Sequence, residues 1–150
     1  ACSANQDGPY YDIFALRHSL WSPNDCFEQQ SFFENKKVSK YTALKSSIYT
    51  RMIHIHPCSE WIEVDSAFGG LTIYRRDFIQ NAKYIGVNNQ DKEICEHVSF
   101  NKGVIENGGK VFVNPALINA GYTEHSIYAR QHWQIILWIK YNVFDFFKKN

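Results

Sequence analysis

Short runs of apolar residues along the chain predict a series of strands. Residues 10–17 form an aromatic and apolar run directly after a Gly-Pro turn, which predicts a buried strand. Residues 51–56 alternate between apolar and polar, as a half-buried strand does. A strand at 110–113 is predicted to end before Pro115, because proline has no backbone donor for a sheet. Further short strands are predicted at 61–64 and 71–74.

Helical spacing and capping residues predict helices between these strands. The helices are predicted at 25–37, 41–49, 95–106 and 126–148. In the first of them Ser22 or Asn24 is the expected cap, and Phe27, Phe32 and Phe33 are expected to face inward. The pattern as a whole predicts an α/β fold, with a mixed sheet of short strands, flanking helices and a long C-terminal helix.

Composition narrows the class of protein. The 150 residues fit a single domain, and a hydrophobic share of 45% is sufficient for a folded core. The aromatic share of 16% adds flat faces on which sugars or bases can stack. The formal net charge is +1 and the sequence contains no stripe of basic residues that would neutralise a run of phosphates. We therefore expect no nucleic-acid partner.

The sequence also bears on the compartment. The four cysteines form no C-x-x-C pair, and no N-x-[ST] sequon or secretory leader is present, so a reduced cytoplasmic setting is expected. The apolar run 133–139 is followed by charged residues and is too short for a membrane span. Because the chain opens at Ala1 and enters a patterned segment at once, we interpret it as a piece of a longer protein.

Asp65 is the first candidate for chemistry. It ends a predicted strand just before the pair Gly69-Gly70, and α/β folds often place functional side chains at such strand ends. An Asp in this position also bonds readily to its own turn, and glycine pairs usually serve backbone geometry. The spacing alone leaves both interpretations open.

Glu96 and His97 form the second candidate, at the start of a predicted helix. A carboxylate there can accept a proton, and an imidazole can bind a divalent metal or a phosphate. The alternative is that Glu96 only complements the positive end of the helix dipole. His125, near the start of the last predicted helix, is either a metal ligand or a capping residue.

Two further groups have the residue types of a site. Tyr11, Asp12 and Arg17 could line a cleft, with Arg17 facing a phosphate or carboxylate, or they could be strand tyrosines beside an ion pair. His54 and His56 share one face of a predicted strand and could be a metal pair. No carboxylate lies at a close offset from them, so solvent-exposed histidines are the alternative.

Five blocks of the sequence together resemble a family of uncharacterised glycosyltransferases with the GT-A nucleotide-sugar fold. The blocks are Tyr10-Tyr11-Asp12-Ile13-Phe14-Ala15-Leu16-Arg17, Trp21-Ser22-Pro23-Asn24-Asp25, Asp65-Ser66-Ala67-Phe68-Gly69-Gly70-Leu71-Thr72-Ile73-Tyr74, Cys95-Glu96-His97-Val98 and Val113-Asn114-Pro115. The resemblance implies an incomplete GT-A-like domain, the C-terminal half that shapes the acceptor site. In that family the donor-binding half precedes these blocks and carries an Asp-x-Asp metal motif, which this chain lacks.

The resemblance implies transfer of a sugar from a nucleotide-sugar donor to a hydroxyl of a glycan or other acceptor. It implies Glu96 as the first choice for the catalytic base and Asp65 as the second. In the complete domain Mn²⁺ or Mg²⁺ would neutralise the departing diphosphate, and His97 or His125 would complete that metal site. The residues it implies for substrate binding are Tyr11, Asp12, Arg17, Trp61, Phe68, Gly69 and Gly70.

Two other functions remain as alternatives to glycosyl transfer. One is a non-catalytic carbohydrate- or protein-interaction module whose hydrophobic C-terminal helix joins a partner. The other is a metal-dependent hydrolase that uses His54, His56 and a carboxylate. An incomplete domain would also expose apolar surface, through which the chain could form a homodimer.

Overall fold

The computed structural model describes residues 1–144, which form an α/β fold around a mixed, open, four-stranded sheet. The strands are β1 (Cys2–Gln6), β2 (Ile62–Val64), β3 (Thr72–Ile73) and β4 (Val111–Ala120). The α-helices are α1 (Cys26–Asn35), α2 (Lys40–Ser47), α3 (Glu96–Glu106) and α4 (Gln131–Ile139). Short 3₁₀ helices lie at Tyr49–Arg51, Arg76–Phe78 and Ile127–Ala129, and a π-helix at Lys140–Phe144. In the order β2-β4-β1-β3 the central pair β4-β1 is parallel and both outer pairs are antiparallel.

Several predicted elements are confirmed. The helices predicted at 25–37, 41–49 and 95–106 are α1, α2 and α3, and the strands predicted at 61–64 and 71–74 are β2 and β3. The core is built by apolar side chains of the strands, of α3 and of the segment before α1. Its fully or nearly fully buried members include Tyr10, Ile13, Leu16, Val64, Phe100, Val104, Val111 and Val113.

Strand β1 has no counterpart among the predicted strands, because most of its buried side chains are polar. Ser3, Asn5 and Gln6 are almost completely buried, and each donates a hydrogen bond to a backbone carbonyl. Asn5 alone donates to the carbonyl oxygens of Ile55 (3.0 Å) and Pro115 (3.1 Å). These bonds offset the cost of burying amide and hydroxyl groups. The buried polar side chains of β1 therefore hold the neighbouring segments in place through hydrogen bonds.

Strand β4 does not stop at Pro115, as the sequence predicted, but continues to Ala120. The ladder between β1 and β4 is irregular there: Ser3 pairs with Val113 and Asn5 with Ile118, so four residues of β4 oppose one of β1. Pro115 lies inside this bulge, where no ladder donor is required of it. A proline is thus accommodated in a central strand.

The strand predicted at 10–17 is wrong, although the segment is buried. The N–H of Ile13 donates to the carbonyl of Tyr11 (2.8 Å), and the segment runs through successive turns. Its most buried large side chains are Tyr10, Ile13 and Leu16. That spacing of three residues places them on one side of a turn-rich chain, whereas a strand would send alternate residues to opposite faces.

The strand predicted at 51–56 is also wrong. Its first residue ends a 3₁₀ helix, and its only sheet-like contact is a single bridge between His54 and Pro9. Ile53 is 43% exposed, while Ile55 is buried, so the two do not share a face. The apparent alternation reflects a loop that buries one apolar side chain, Ile55.

Helix α1 is capped by Asp25 and not by Ser22 or Asn24. One carboxylate oxygen of Asp25 accepts hydrogen bonds from two N–H groups of the first turn, at 2.9 and 3.1 Å. Ser22 and Asn24 instead accept from the guanidinium of Arg51, at 3.0 and 2.6 Å. The largely buried Arg51 thus joins the start of α1 to the 3₁₀ helix after α2.

The inward face predicted for α1 is only partly correct. Phe27 and Phe32 are 49% and 56% exposed, and only Cys26 of this helix is buried. The ring of Phe27 packs edge-on against Phe14, with centroids 5.0 Å apart. Helix α1 therefore covers the core lightly and leaves aromatic surface accessible.

The helix predicted at 126–148 is broken near its start. Arg130 has an extended backbone (φ −67°, ψ 141°), and its guanidinium lies over the ring of Tyr122 at 3.7 Å. This break separates the 3₁₀ helix Ile127–Ala129 from α4, which passes into the π-helix Lys140–Phe144. Residues 145–148 of the prediction lie outside the described residues. Over 1–144, none of the helices has the length and apolarity that a membrane span requires.

Candidate functional site

The candidate site lies where the two parallel strands β1 and β4 reach their carboxyl ends. Gln6 ends β1, and Asn119 is the second-to-last residue of β4. Their side-chain amides both donate to the carbonyl oxygen of Gly69, at 2.9 and 3.3 Å. The carboxyl edge of parallel strands is where open α/β sheets bind ligands. The two amides fix the Gly69-Gly70 bend at that edge.

The bend requires glycine at both positions. Gly69 and Gly70 have φ of 64° and 80°, in the left-handed region that side chains disfavour. A Cβ on Gly69 would strike the carbonyl oxygen of Ala4. A Cβ on Gly70 would lie 2.9 Å from the Tyr11 hydroxyl and 2.7 Å from the amide nitrogen of Asn119. The missing side chains therefore let Tyr11 approach the backbone of the bend.

Asp12 is the carboxylate that the fold brings to this bend. One of its oxygens accepts from the N–H of Gly69 (3.1 Å) and the other from the N–H of Ala15 (3.3 Å). Burial raises the pKa of Asp12, and the nearby Glu96 raises it further. The two backbone hydrogen bonds and His97 act in the opposite direction without cancelling the effect of burial on this pKa. Asp12 thus holds a proton more readily than an ordinary Asp.

Helix α3 contributes Glu96 and His97 from its first turn. The ring of His97 stacks on Phe68 with centroids 3.8 Å apart and an interplanar angle of 12°. The Glu96 carboxylate lies 3.7 Å from Nε2 of His97 and is 47% exposed. A carboxylate is favourably placed at a helix N-terminus, because the helix dipole is positive there. The result is a solvent-accessible carboxylate beside a stacked pair of rings.

A second pair of rings is formed by Tyr11 and His125. Their rings stack with centroids 5.7 Å apart and an interplanar angle of 22°. They border a cavity of about 400 Å³, a volume typical of small-molecule sites. Other residues that line it include Asp12, Phe14, Tyr49, Met52 and Tyr128. Asp12 therefore links the cavity to the Gly69-Gly70 bend.

Eight of the residues predicted for the site thus come together, and three do not. Those brought together are Tyr11, Asp12, Phe68, Gly69, Gly70, Glu96, His97 and His125. Asp65 is exposed and borders a separate hollow of about 340 Å³ with His18 and Lys110. Trp61 lies beside the edge strand β2, where its ring packs edge-on against Phe112 at 5.9 Å.

Arg17 is engaged in holding the fold. Its guanidinium forms an ion pair with Asp25 (2.8 Å) and donates to the carbonyl oxygens of Phe14 and Leu16. Both terminal nitrogens of the Arg17 guanidinium therefore already have partners within the protein. Arg17 therefore steadies the cap of α1, and its donors are not directed at a ligand.

The two predicted metal ligands lie in different ring pairs, His97 stacked on Phe68 and His125 on Tyr11. Among residues 1–144 no group of three or more His, Cys, Asp or Glu side chains is arranged to hold a metal ion. The described residues therefore do not by themselves provide a set of ligands for Mn²⁺ or Mg²⁺, and a role for His97 or His125 as one ligand of a metal in a complete domain stays a prediction.

Three residues of the site were given no role, or a lesser one, by the sequence. Gln6 and Asn119 lie in polar parts of strands, and no spacing signal connects them with Gly69. Asp12 was placed in the cleft, but its burial and raised pKa follow only from the fold.

Comparisons with protein-family models, with curated proteins and with solved structures found no match.

Replacing Asp12 with Asn is expected to change how stability depends on pH. Because its folded pKa is raised, the Asp12 contribution is fully present below the unfolded pKa and is lost as the pH rises through the folded pKa. The free energy of unfolding of the wild type minus that of Asp12→Asn should therefore fall as the pH rises from about 4 towards 7. Urea unfolding at several pH values measures this difference, and a flat or rising difference would contradict the raised pKa.

Proposed function

We propose that the cleft binds a sugar-bearing acceptor and that this chain supplies the acceptor side of glycosyl transfer from a nucleotide sugar. The observation that supports this most is the placement of Glu96, a half-exposed carboxylate at the start of α3 beside the Phe68–His97 ring pair. Asp12 lies close enough for its pKa to respond to the charges of both α3 residues. Asp12 thus connects the proposed base and ring pair of α3 with the Gly69-Gly70 bend and with the cavity beside Tyr11.

These features suit a sugar for separate physical reasons. The C–H face of a pyranose is apolar and packs on a flat ring, a role we assign to the half-buried ring of Phe68, which His97 covers on one side. Sugar hydroxyls need polar partners, and sites for small molecules typically place a few such groups in an apolar lining. Gly70 is exposed and has no side chain, so a hydroxyl can reach its backbone directly.

In the proposed reaction the acceptor oxygen attacks the anomeric carbon of the donor sugar. A new C–O bond forms, the bond from that carbon to the phosphate oxygen breaks, and the nucleoside diphosphate leaves with the bonding electrons. Glu96 takes the proton of the acceptor hydroxyl as general base. Asp12 holds the Gly69 N–H and positions the bend. The donor side of the transfer is assigned to none of the described residues.

A second candidate is a non-catalytic carbohydrate-binding module, which the same ring surfaces favour. It requires the platform but no base, so it differs from the transferase in what Glu96 does. The metal-dependent hydrolase has less support. His54 and His56 are both exposed, and Nδ1 of His56 accepts from the N–H of Cys58 at 3.2 Å.

Acceptor binding is tested with two matched aromatic substitutions. Methyl glycosides of common pyranoses are titrated into the protein, and binding is measured by ligand-observed NMR. Phe68→Leu keeps an apolar side chain but removes the flat ring, and should weaken binding roughly tenfold, the order of one aromatic contact. Trp61→Leu, an exposed ring at another part of the sheet, should leave binding unchanged.

The outcomes separate the proposals. Failure of every glycoside to bind would count against both the transferase and the carbohydrate module. Loss of binding in Trp61→Leu with retention in Phe68→Leu would move the site to β2. Circular dichroism of each variant shows whether the fold is retained.

A further inference from the structure

Helix α4 presents apolar side chains to solvent. Ile135, Ile136, Trp138 and Ile139 are 57%, 48%, 49% and 38% exposed, and only Leu137 of this helix is buried. Single exposed apolar residues are common on protein surfaces, but four within five positions of one helix are not scattered. They form an apolar ridge along α4.

The ridge is bordered by helix α2. The hydroxyl of Tyr41 donates to Oε1 of Gln134 at 3.4 Å, which joins the two helices. A shallow hollow of about 260 Å³ between them is lined by Tyr41, Lys45, Ile135 and Trp138 among others. The ridge and α2 therefore belong to one continuous surface, which we call the α2–α4 face.

Positive charge is concentrated on and around this face. The exposed cationic residues of the two segments are Lys36, Lys37, Lys40, Lys45, Arg130 and Lys140. No Asp or Glu occurs in residues 35–59 or 125–144. The whole chain has a formal net charge of only +1, because acidic residues outside these two segments balance most of its positive charge. The α2–α4 face is thus basic as well as apolar.

The cations stand next to aromatic rings. The amino group of Lys40 lies 5.4 Å from the ring centroid of Tyr141, and that of Lys140 lies 5.3 Å from the same ring. Lys45 lies 5.7 Å from the ring of Tyr41. Tyrosine and tryptophan beside lysine is the composition favoured at the boundary between lipid headgroups and water.

We propose that the α2–α4 face binds the surface of an anionic lipid bilayer, with α4 lying in the plane of the interface. The apolar ridge would enter the boundary between headgroups and acyl chains, while the lysines contact anionic headgroups. A nucleic acid would engage the cations but leave the four ridge side chains exposed. An apolar protein partner would cover the ridge but gain nothing from Lys40, Lys45 and Lys140 beside it. The bilayer is the occupant that uses both.

Vesicle flotation tests this directly. The protein should bind vesicles of phosphatidylcholine with about 30% phosphatidylserine at least tenfold more tightly than vesicles of phosphatidylcholine alone. Raising the salt concentration from about 0.05 M to about 0.5 M should weaken the binding. The double variant Lys40→Gln/Lys45→Gln should bind at least about tenfold more weakly, and Trp138→Ser several-fold more weakly.

Matched controls keep the changes chemically similar while moving them off the face. Lys102→Gln/Lys110→Gln removes two exposed lysines elsewhere, and Leu20→Ser removes a side chain that is 89% exposed. Both controls should bind as the wild type does. Equal binding to neutral and anionic vesicles, or no binding to either, would overturn the proposal. Binding to heparin that is as tight, and unaffected by Trp138→Ser, would overturn it in favour of a soluble polyanion.

Discussion

A Glu96→Gln variant should transfer sugar at least about 100-fold more slowly than the wild type, because a positioned general base contributes on the order of 10² to 10⁴ in rate. Gln has nearly the same size and keeps a hydrogen-bonding oxygen, so binding of the acceptor should change little. The measurement is nucleotide release and product formation by the protein from the full reading frame, with kcat and the acceptor KM obtained separately. A fall in kcat without a rise in KM is the expected signature.

Asp65→Asn is the matched control for Glu96→Gln, since it removes another exposed carboxylate from the same chain. Asp65 borders the hollow shared with His18 and Lys110, which neither Phe68 nor His97 lines. Its rate should stay within about twofold of the wild type, as expected for a surface change away from the site. If Glu96→Gln kept full activity while binding persisted, the carbohydrate-binding module would be the better description.

The contrast between Glu96 and Asp65 shows what the sequence could determine about the site. Both carboxylates stand at ends of predicted elements, and both elements, α3 and β2, are present. Local pattern thus placed both carboxylates at the ends of elements that the structure contains. Which of them lies near Asp12 depends on how β2 and α3 pack around the sheet. That packing involves contacts distant in sequence, which spacing does not encode.

Asp12 illustrates the same limit in its chemistry. Its residue type marked it as a cleft candidate, but its pKa is raised by burial and, to a smaller extent, by the charge of Glu96, while the hydrogen bond from Gly69 lowers it. These neighbours lie dozens of positions away along the chain. Arg17 is the converse case. Its residue type suggested contact with a phosphate or carboxylate, but in the fold its guanidinium forms an ion pair with Asp25. Such roles follow from tertiary contacts alone.

The fold was predictable where local rules dominate. Helices α1 and α2 begin at side-chain caps, α3 is followed by Gly108-Gly109, and β2 and β3 have short apolar runs bounded by turn residues. Strand β1 was not predictable, because Ser3, Asn5 and Gln6 are polar residues buried by specific hydrogen bonds. The passage of β4 through Pro115 depends in turn on a bulge opposite β1. Without β1, the carboxyl-end site shared by β1 and β4 could not be inferred.

Gly69→Ala should lower the free energy of unfolding by about 3 kcal/mol or more, a large loss for a single substitution. Two costs combine at this position. A side chain at φ 64° is in the left-handed region, which costs about 1–2 kcal/mol, and the new Cβ would also strike the backbone carbonyl of Ala4. Because Ala4 lies in the central strand β1, neither side of the clash can move without disturbing the sheet.

Two other glycines separate these costs. Gly108 also has a positive φ, of 83°, but open space around its Cβ position, so Gly108→Ala should lose only about 1–2 kcal/mol. Gly121 has open space and no positive φ, so Gly121→Ala should be neutral or gain up to about 1 kcal/mol through the unfolded state. Urea unfolding of the three variants measures all three values. Gly69→Ala could also lower the free energy of unfolding no more than Gly108→Ala does. The bend would then not be held tightly against β1, and the Gln6 and Asn119 amides would not have the role of fixing it.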